Sequence, residues 1–432
     1  MATEDSISDK LSPNEEWIWR RRIIAPHLAA FNIAMVVSMK GQLDRRALEL
    51  AMGDVVDRHD LLRATYSDAS EVPARTIARS MPKPIVRDFG AQCNDTVESV
   101  LLAEAMQSFD LVRGPLIRCA LAETGQNEFI FSLVLHHIIA DGWSLGVICD
   151  DLSTSYAKRI GCADKVMRPI ESHYSCYSEY MRDLLASDRF RRSLQFWNAQ
   201  LADPLEPVPL DTDWPRASTI SEASHVTRTA LSRAASPRVR RCCAAIRVTP
   251  ACVLLAAYVL LVSEMARGAR DVVIGVNVAN RPRSEYEHVV GYFANTIPLR
   301  FDVSDVSNPC TWLQYVWRVM VAGSAHQCVP FGVICRSMGT RMKRIATAMS
   351  RVTFQLLPRT AIEFPNVTTT RLHTVANGNA SPDIDLRVRE LGNSYELEVI
   401  YKVFAYSRRR IDAMLARYEE ILDGLLEALS GD

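Results

Sequence analysis

The sequence predicts a mixed α/β (α+β) protein built as two lobes, and three observations lead there. The chain has 432 residues, beyond the size at which a single hydrophobic core keeps growing. Both halves mix strand-like and helix-like segments, with no short-period repeat, which points to a sheet with covering helices in each half. An apolar share of 48% supplies enough side chains for two buried cores.

Phe31 to Met39 forms a strand, and Gly41-Gln42-Leu43-Asp44 turns into a helix capped by Asp44, with Leu48, Met52 and Val55 on one face. Asp60 to Tyr66 returns as a strand, followed by a Pro-rich edge segment, Met81 to Asp88, and a helix over Thr96 to Gln107. Gly114-Pro115 marks a turn before a strand from Leu116 to Leu121, and Gly125 separates it from Glu128 to Leu135. These two strands can pair as a hairpin, so the first lobe need not be a doubly wound parallel sheet. Ser144 then caps a helix to Tyr156.

A polar, helical stretch through about residue 225 connects the lobes, and its Pro204 to Pro209 part is extended. Thr249-Pro250 opens the second half as a cap with proline at the first helical position, leading to a helix ending near Arg267. Its apolar run, Ala251 to Val262, spans twelve residues, well short of the roughly 20 needed to cross a bilayer, and therefore predicts a buried core helix. Strands follow at Asp271 to Val278, Gly291 to Arg300 with a turn at its start, Val352 to Leu357, Ile384 to Glu390 and Tyr395 to Tyr401. An amphipathic helix from Ser407 to about Leu429 ends the chain. The expected boundaries are a first lobe over 1–170, a connection over 171–225 and a second lobe over 226–432.

Fifty basic and fifty acidic residues cancel, which gives no electrostatic ground for a nucleic-acid or membrane partner. Met1 to Pro13 is polar and lacks the apolar core of a secretory signal. The eleven cysteines show no CxxC and no regular spacing, so neither a disulfide framework nor a metal site is expected, and scattered thiols fit a cytoplasmic location. The adjacent Cys242-Cys243 is most simply helix packing.

Chemistry concentrates in His136-His137-Ile138-Ile139-Ala140-Asp141-Gly142, an HHxxxDG pattern that follows the apolar run Phe129 to Leu135 and precedes Trp143-Ser144. A histidine pair after a strand is by itself most simply structural. The full four-position pattern, however, should occur by chance on the order of once per thousand chains of this length. A neutral imidazole can take a proton near pH 7. Glycine allows positive φ and brings its N–H close to a developing oxyanion. Because successive side chains of a strand alternate sides, only one of the two histidines can face a cleft. Ser144 is no nucleophile candidate, since no G-x-S-x-G elbow surrounds it.

The segment HHIIADGWS resembles the active-site motif of the condensation domains of nonribosomal peptide synthetases, members of the chloramphenicol acetyltransferase-like acyltransferases. The resemblance extends along the chain: Leu11-Ser12-Pro13 with Trp19, Arg58 to Arg63, Phe109-Asp110-Leu111 with Gly114 to Arg118, Tyr177 to Tyr180, Asp271 to Gly275 leading to Asn280-Arg281, Gly291 to Thr296, and His326-Gln327 with Pro330-Phe331 all fall in family order. It implies two chloramphenicol acetyltransferase-like lobes in a V-shaped pseudo-dimer, with the active site at their junction.

By this resemblance His137 is the catalytic residue, Gly142 the backbone oxyanion donor and His136 scaffold. Asp141 pairs with Arg281 across the lobes, and Trp143 and Asn295 are candidates for a substrate tunnel; Trp143 equally suits packing of the motif loop. Arg58 and Arg63 are expected to be structural or solvated, and His326-Gln327 to be loop architecture. The implied reaction is direct transfer of an acyl, peptidyl or polyketide chain from a carrier-protein phosphopantetheine thioester to a carrier-bound or soluble amine or hydroxyl acceptor, with chain release as one outcome. No bound cofactor or metal is expected, and a monomer is. A carrier-recruiting scaffold without catalysis and an epimerization-type relative are the alternatives.

The sequence departs from the family pattern at Glu15, where glutamine is usual, at Met181 to Asp183, which lack a tryptophan, and at Cys328 and Gly332, which replace acidic residues. The chain ends at the last expected helix, so the thioester is expected from another polypeptide; the chain is either a domain excised from a synthetase or a free-standing condensation enzyme, and the plain N-terminus and degenerate motifs favour the second.

Overall fold

The computed structural model describes residues 6–24, 31–67, 73–79, 86–91, 101, 103–162, 166–202, 207–214, 224–341, 344, 346–347, 351–375, 382–392 and 394–429. The chain divides into two compact units. The first comprises Met1–Ala186, Arg281–Ala294 and Arg359–Gly378, and the second Ser187–Asn280, Asn295–Pro358 and Asn379–Asp432. This differs from the expected division at 170 and 225, because two segments of the C-terminal half belong to the first unit. The physical reason for one of them is a strand pairing: Val367–Val375 lies antiparallel to Asn32–Gly41 and covers what would otherwise be an open sheet edge.

In the first unit a five-stranded sheet runs in the order Val367–Val375, Asn32–Gly41, Glu128–His136, Ile117–Gly125, Val86–Ala91. The predicted hairpin is its centre, with Ile117 opposite Leu135 in antiparallel register. The other side of Glu128–His136 pairs with Asn32–Gly41, and Asn32 faces His136. The sheet therefore ends at the histidine pair. Helices Arg45–Arg58 and Gly142–Arg159 pack against each other. Asp44 caps the first of them as predicted, its carboxylate accepting from Ala47 N at 2.9 Å. A second, three-stranded sheet holds Ser6–Lys10, Ala74–Ala78 and Ala64–Ser67.

Three predicted elements of this unit come out differently. Asp60–Arg63 is a 3₁₀ turn and only Ala64–Ser67 is strand. The Arg63 guanidinium bonds Val56 O, Ala78 O and Asp60 Oδ1, which curls the segment. The cap of the Gly142–Arg159 helix is Asp141 rather than Ser144, because the Asp141 carboxylate accepts from Ser144 N. The predicted helix over 96–107 is seen as helical at 103–106, and its residues 96–100 lie outside the described residues, as do 81–85 and 204–206.

The second unit is built on a six-stranded sheet ordered Asn295–Asp302, Asp271–Val278, Val352–Leu357, Ile384–Leu391, Ser394–Lys402, Ser224–Ala230. Val352–Leu357 runs parallel to both neighbours and the remaining pairs are antiparallel. Alternation gives the sheet two faces. Ile274, Val276, Ile297, Leu299, Phe354, Leu386, Leu397 and Val399 are buried on one, where helices such as Pro250–Met265 and Pro309–Ala325 pack. The other carries polar bridges between strands, from Thr296 to Asn277, from Thr353 to Asp385 and from Arg228 to Glu398.

Pro250–Met265 is buried almost all round, as the twelve-residue apolar run predicts. Among the described residues no single helix is long and apolar enough to cross a membrane. Thr249 occupies its cap position, but its hydroxyl makes no capping bond. Ser407 does cap the final helix, Arg408–Glu427, by accepting from Arg410 N. The strand expected over 291–300 begins only at Asn295, since the preceding four residues are recruited by the first unit.

Candidate active site

The strand Glu128–His136 ends with His136 buried and passes His137 into a turn, where His137 N donates to Phe31 O at 2.6 Å. His136 Nδ1 accepts from Ile138 N at 3.1 Å, so that nitrogen carries no proton. The ring sits among Phe31 and Phe109. Burial, then the neighbouring His137 and Arg118, bring its pKa down to about 3. His136 is therefore held neutral in the turn. His137 remains half-buried, and its ring meets the Tyr292 ring at a centroid distance of 4.6 Å and an interplanar angle of 63°.

Asp141 is the hub of the turn, at 1% exposure. Its Oδ1 accepts from Ser144 N and Ser144 Oγ at 2.8 Å and from Arg281 Nη2 at 3.2 Å. Its Oδ2 accepts from the backbone N–H groups of Phe293 and Ala294 at 3.1 Å. Both oxygens are thus engaged in bracing the turn. Arg281 joins Asp141 as expected, but not across lobes: the segment Arg281–Ala294 belongs to the same unit as Asp141. Its guanidinium also donates to Val289 O and Tyr286 O and lies 4.0 Å from the Phe293 ring centre. Burial pulls the Arg281 pKa below its usual value, against the upward pull of Asp141.

Gly142 is the first residue of the helix and Trp143 the second. Helix geometry leaves the N–H groups at these positions without an intrahelical acceptor, at the positive end of the helix dipole. Gly142 does not use a left-handed conformation, since its φ is not positive. What glycine contributes here is the absence of a side chain beside its N–H. Trp143 donates its indole N–H to Glu287 O at 2.8 Å while its ring stays 38% exposed, so it packs the motif loop from outside.

Other sequence candidates are structural. Arg58 donates to Asp151 at 2.7 Å and Arg63 to three backbone carbonyls. His326 stacks on Phe196 with Nδ1 3.0 Å from Ser193 Oγ, and its carbonyl accepts from Trp197 Nε1. Asn295, a candidate tunnel residue by resemblance, lies in the second unit with its amide already taken up. Nδ2 donates to Gln327 O and Val329 O at 2.8 Å, and Oδ1 accepts from Phe331 N at 3.2 Å. It braces the 326–331 loop. The described cysteines are all free thiols.

The structure also brings in residues to which the sequence gives no role in the site. Asn14 reaches the carbonyls of Tyr292, Phe293 and Ala294 at 3.2–3.3 Å. Tyr174 donates to Tyr292 O at 2.7 Å. Ser144 Oγ lies within 3.0 Å of Gly291 N, Gly291 O and Arg281 Nη2. Glu15, the departure from the usual glutamine, forms a capping box with Ser12 and pairs with the fully buried Arg75 at 2.7 Å. Asn14 and Tyr292 occupy variable positions within recognisable motifs, which is the only local signal they offer.

A protein-family model described as "Condensation domain" matches residues 10–431. The chain is 30% identical over 422 residues, 95% of its length, to a probable non-canonical nonribosomal peptide synthetase, CymA, of Salinispora arenicola (strain CNS-205), of which it covers 5%. It spans 2% to 10% of the length of eight curated synthetases it matches. Among solved structures, the condensation domain from the monacolin K polyketide synthase MokA superposes with a TM-score of 0.85 at 20% identity, over 98% of both chains. A mutant of the starter condensation domain of rhizomide synthetase RzmA, in complex with C8-CoA, does so with a TM-score of 0.84 at 21% identity, over 97% of this chain and 95% of that one.

Proposed function

Because the chain belongs to the condensation-domain family, we propose that it transfers an acyl or peptidyl chain from the phosphopantetheine thioester of a carrier protein to an amine or hydroxyl acceptor, with His137 as the catalytic group. Its fold is the chloramphenicol acetyltransferase-like fold of that family. The observation that carries the reading is the division of labour in the motif. His136 is held neutral by Ile138 N–H and burial, and both oxygens of Asp141 are spent on bracing. Among the motif's side chains that leaves the half-buried imidazole of His137 to move a proton.

The acceptor nitrogen or oxygen attacks the thioester carbonyl, and His137 takes its proton. The tetrahedral oxyanion draws on the Gly142 N–H at the helix start. When the C–S bond breaks, the proton goes to the departing thiolate. An uncharged amine acceptor needs mainly to be positioned, whereas a hydroxyl needs the base. Ser144 is no covalent relay, since its hydroxyl is committed to Asp141, Arg281 and Gly291. The C8-CoA in the RzmA complex is an acyl thioester, which supports this donor class.

Intact-mass analysis of an acylated carrier protein, mixed with the chain and a panel of amines and alcohols, tests the reading. Acyl loss and a matching amide or ester product are expected with the parent chain. The His137→Ala variant should retain its fold and lose turnover; full activity in that variant overturns the assignment.

A further inference from the structure

The geometry points to Tyr292 as a positioning residue for His137: its ring sets the rotation of the imidazole about the Cβ–Cγ bond and so the direction in which the reacting nitrogen faces. The inference rests on His137 being the catalytic group. Tyr292 is the variable position of the Gly291 to Thr296 motif, and no role was assigned to it by the resemblance.

The first observation is contact. The Tyr292 and His137 rings meet edge to face at 4.6 Å. Torsion about an imidazole's Cβ–Cγ bond has broad wells, so an imidazole at the end of a strand turns unless something holds it. His137 N is fixed to Phe31 O, and the Tyr292 ring packs directly against the imidazole.

The second observation is that the segment presenting Tyr292 is immobilised along both of its edges. Its N–H groups go to Asp141 and Ser144, through Phe293 N, Ala294 N and Gly291 N. Its carbonyls are held by Asn14 and Tyr174. Gly291 lies flat on the Tyr174 ring, where a Cβ would stand 2.1 Å from Tyr174 Cδ2. The adjacent Phe293 inserts into the aromatic cluster of Tyr174 and Tyr177 under the Arg281 guanidinium. So dense a clamp is more than Tyr292 needs merely to fill space. It converts the position of the Asp141 brace into the position of one ring against His137. The Tyr292 hydroxyl stays protonated, because burial, and then Asp141, push its pKa well up, so the ring rather than the phenolate is the working part.

Octanoyl-CoA as soluble donor with an amine acceptor, assayed on the full chain, tests the assignment through Tyr292→Phe, Tyr292→Leu and Tyr292→Ala. Y292F should stay within about twofold of the parent. Y292A should lose about ten- to hundredfold in kcat, the scale of a misplaced reacting group, with KM for the donor changed less than about twofold. Y292L should lie between them. In Y292A, but not Y292F, the ring proton signals of labelled His137 should shift or broaden.

A Y292A variant with parental kcat and unchanged His137 signals overturns the assignment, and an equal loss in Y292F moves the role from ring to hydroxyl and overturns it too. H137A run beside them separates the two readings: unchanged turnover there refutes the catalytic role of His137, whereas loss in H137A with none in Y292A refutes only the positioning role. If no acceptor is turned over, the His137 signals alone decide between a held and a free ring.

Discussion

Replacing Asp141 by alanine should destabilise the first unit by about 3–4 kcal/mol. The carboxylate is 1% exposed and accepts five hydrogen bonds. Its removal strands Arg281, whose side chain is 4% exposed, and three backbone N–H groups, those of Ser144, Phe293 and Ala294. Breaking a buried ion pair by deleting one partner costs about 3–5 kcal/mol, and losing a helix cap costs about 0.5–2 kcal/mol. These do not add, because the same carboxylate makes both contributions. Arg281 keeps Val289 O, Tyr286 O and the Phe293 ring, which selects the lower end of the range.

Urea unfolding followed by tryptophan fluorescence measures the loss. A double-mutant cycle with Arg281→Met sharpens it: in D141A/R281M the unpaired charge is gone, so the two single losses should exceed the double by about 2 kcal/mol. A D141A loss under about 1 kcal/mol, or strict additivity in the cycle, would refute the picture of Asp141 as a buried brace.

The remaining predictions follow the same logic. His136 has a folded-state pKa of about 3 against an ordinary 6.5, so below pH 6.5 the unfolded chain binds a proton that the folded chain refuses. Its contribution to stability is complete above 6.5 and is lost as pH falls towards 3, with a slope of up to about 1.4 kcal/mol per pH unit. His136→Asn keeps an acceptor for Ile138 N–H and removes the titration; chemical denaturation at several pH values should give a flatter acid limb, and an unchanged limb would count against the assignment. Glu15→Gln restores the residue usual at that position but leaves Arg75, at 0% exposure, with Asp9 at 3.2 Å as its one carboxylate partner among the described residues. It should cost about 2–4 kcal/mol in the same urea assay, with part regained in E15Q/R75M; a neutral E15Q would show that the pair contributes nothing.

Much of this protein was legible without coordinates wherever the signal was local. The Asp44 cap, the buried helix after Thr249-Pro250, the hairpin around Gly125 and the strand Val352–Leu357 each depend on periodicity and punctuation within a dozen residues. The HHxxxDG stretch marked the candidate turn for the same reason, and the alternation of a strand already implied that its two histidines face differently.

Tertiary structure decided the rest, because a polar side chain's job depends on which backbone groups arrive beside it from elsewhere in the chain. Asp141 and Ser144 are both capping residue types, and only the approach of Phe293, Ala294 and Arg281 makes Asp141 the cap and hub. Asn295 reads as a substrate contact until the 326–331 loop is seen to occupy its amide. Asn14, Tyr174 and Tyr292 carry no local pattern of function, yet long-range packing places two of them on the carbonyls of one four-residue segment and the third against His137. The sequence by itself determined the fold class and the turn that carries the histidine pair. The ring that packs on His137 comes from a segment more than a hundred residues further along the chain, held there by hydrogen bonds that no spacing encodes.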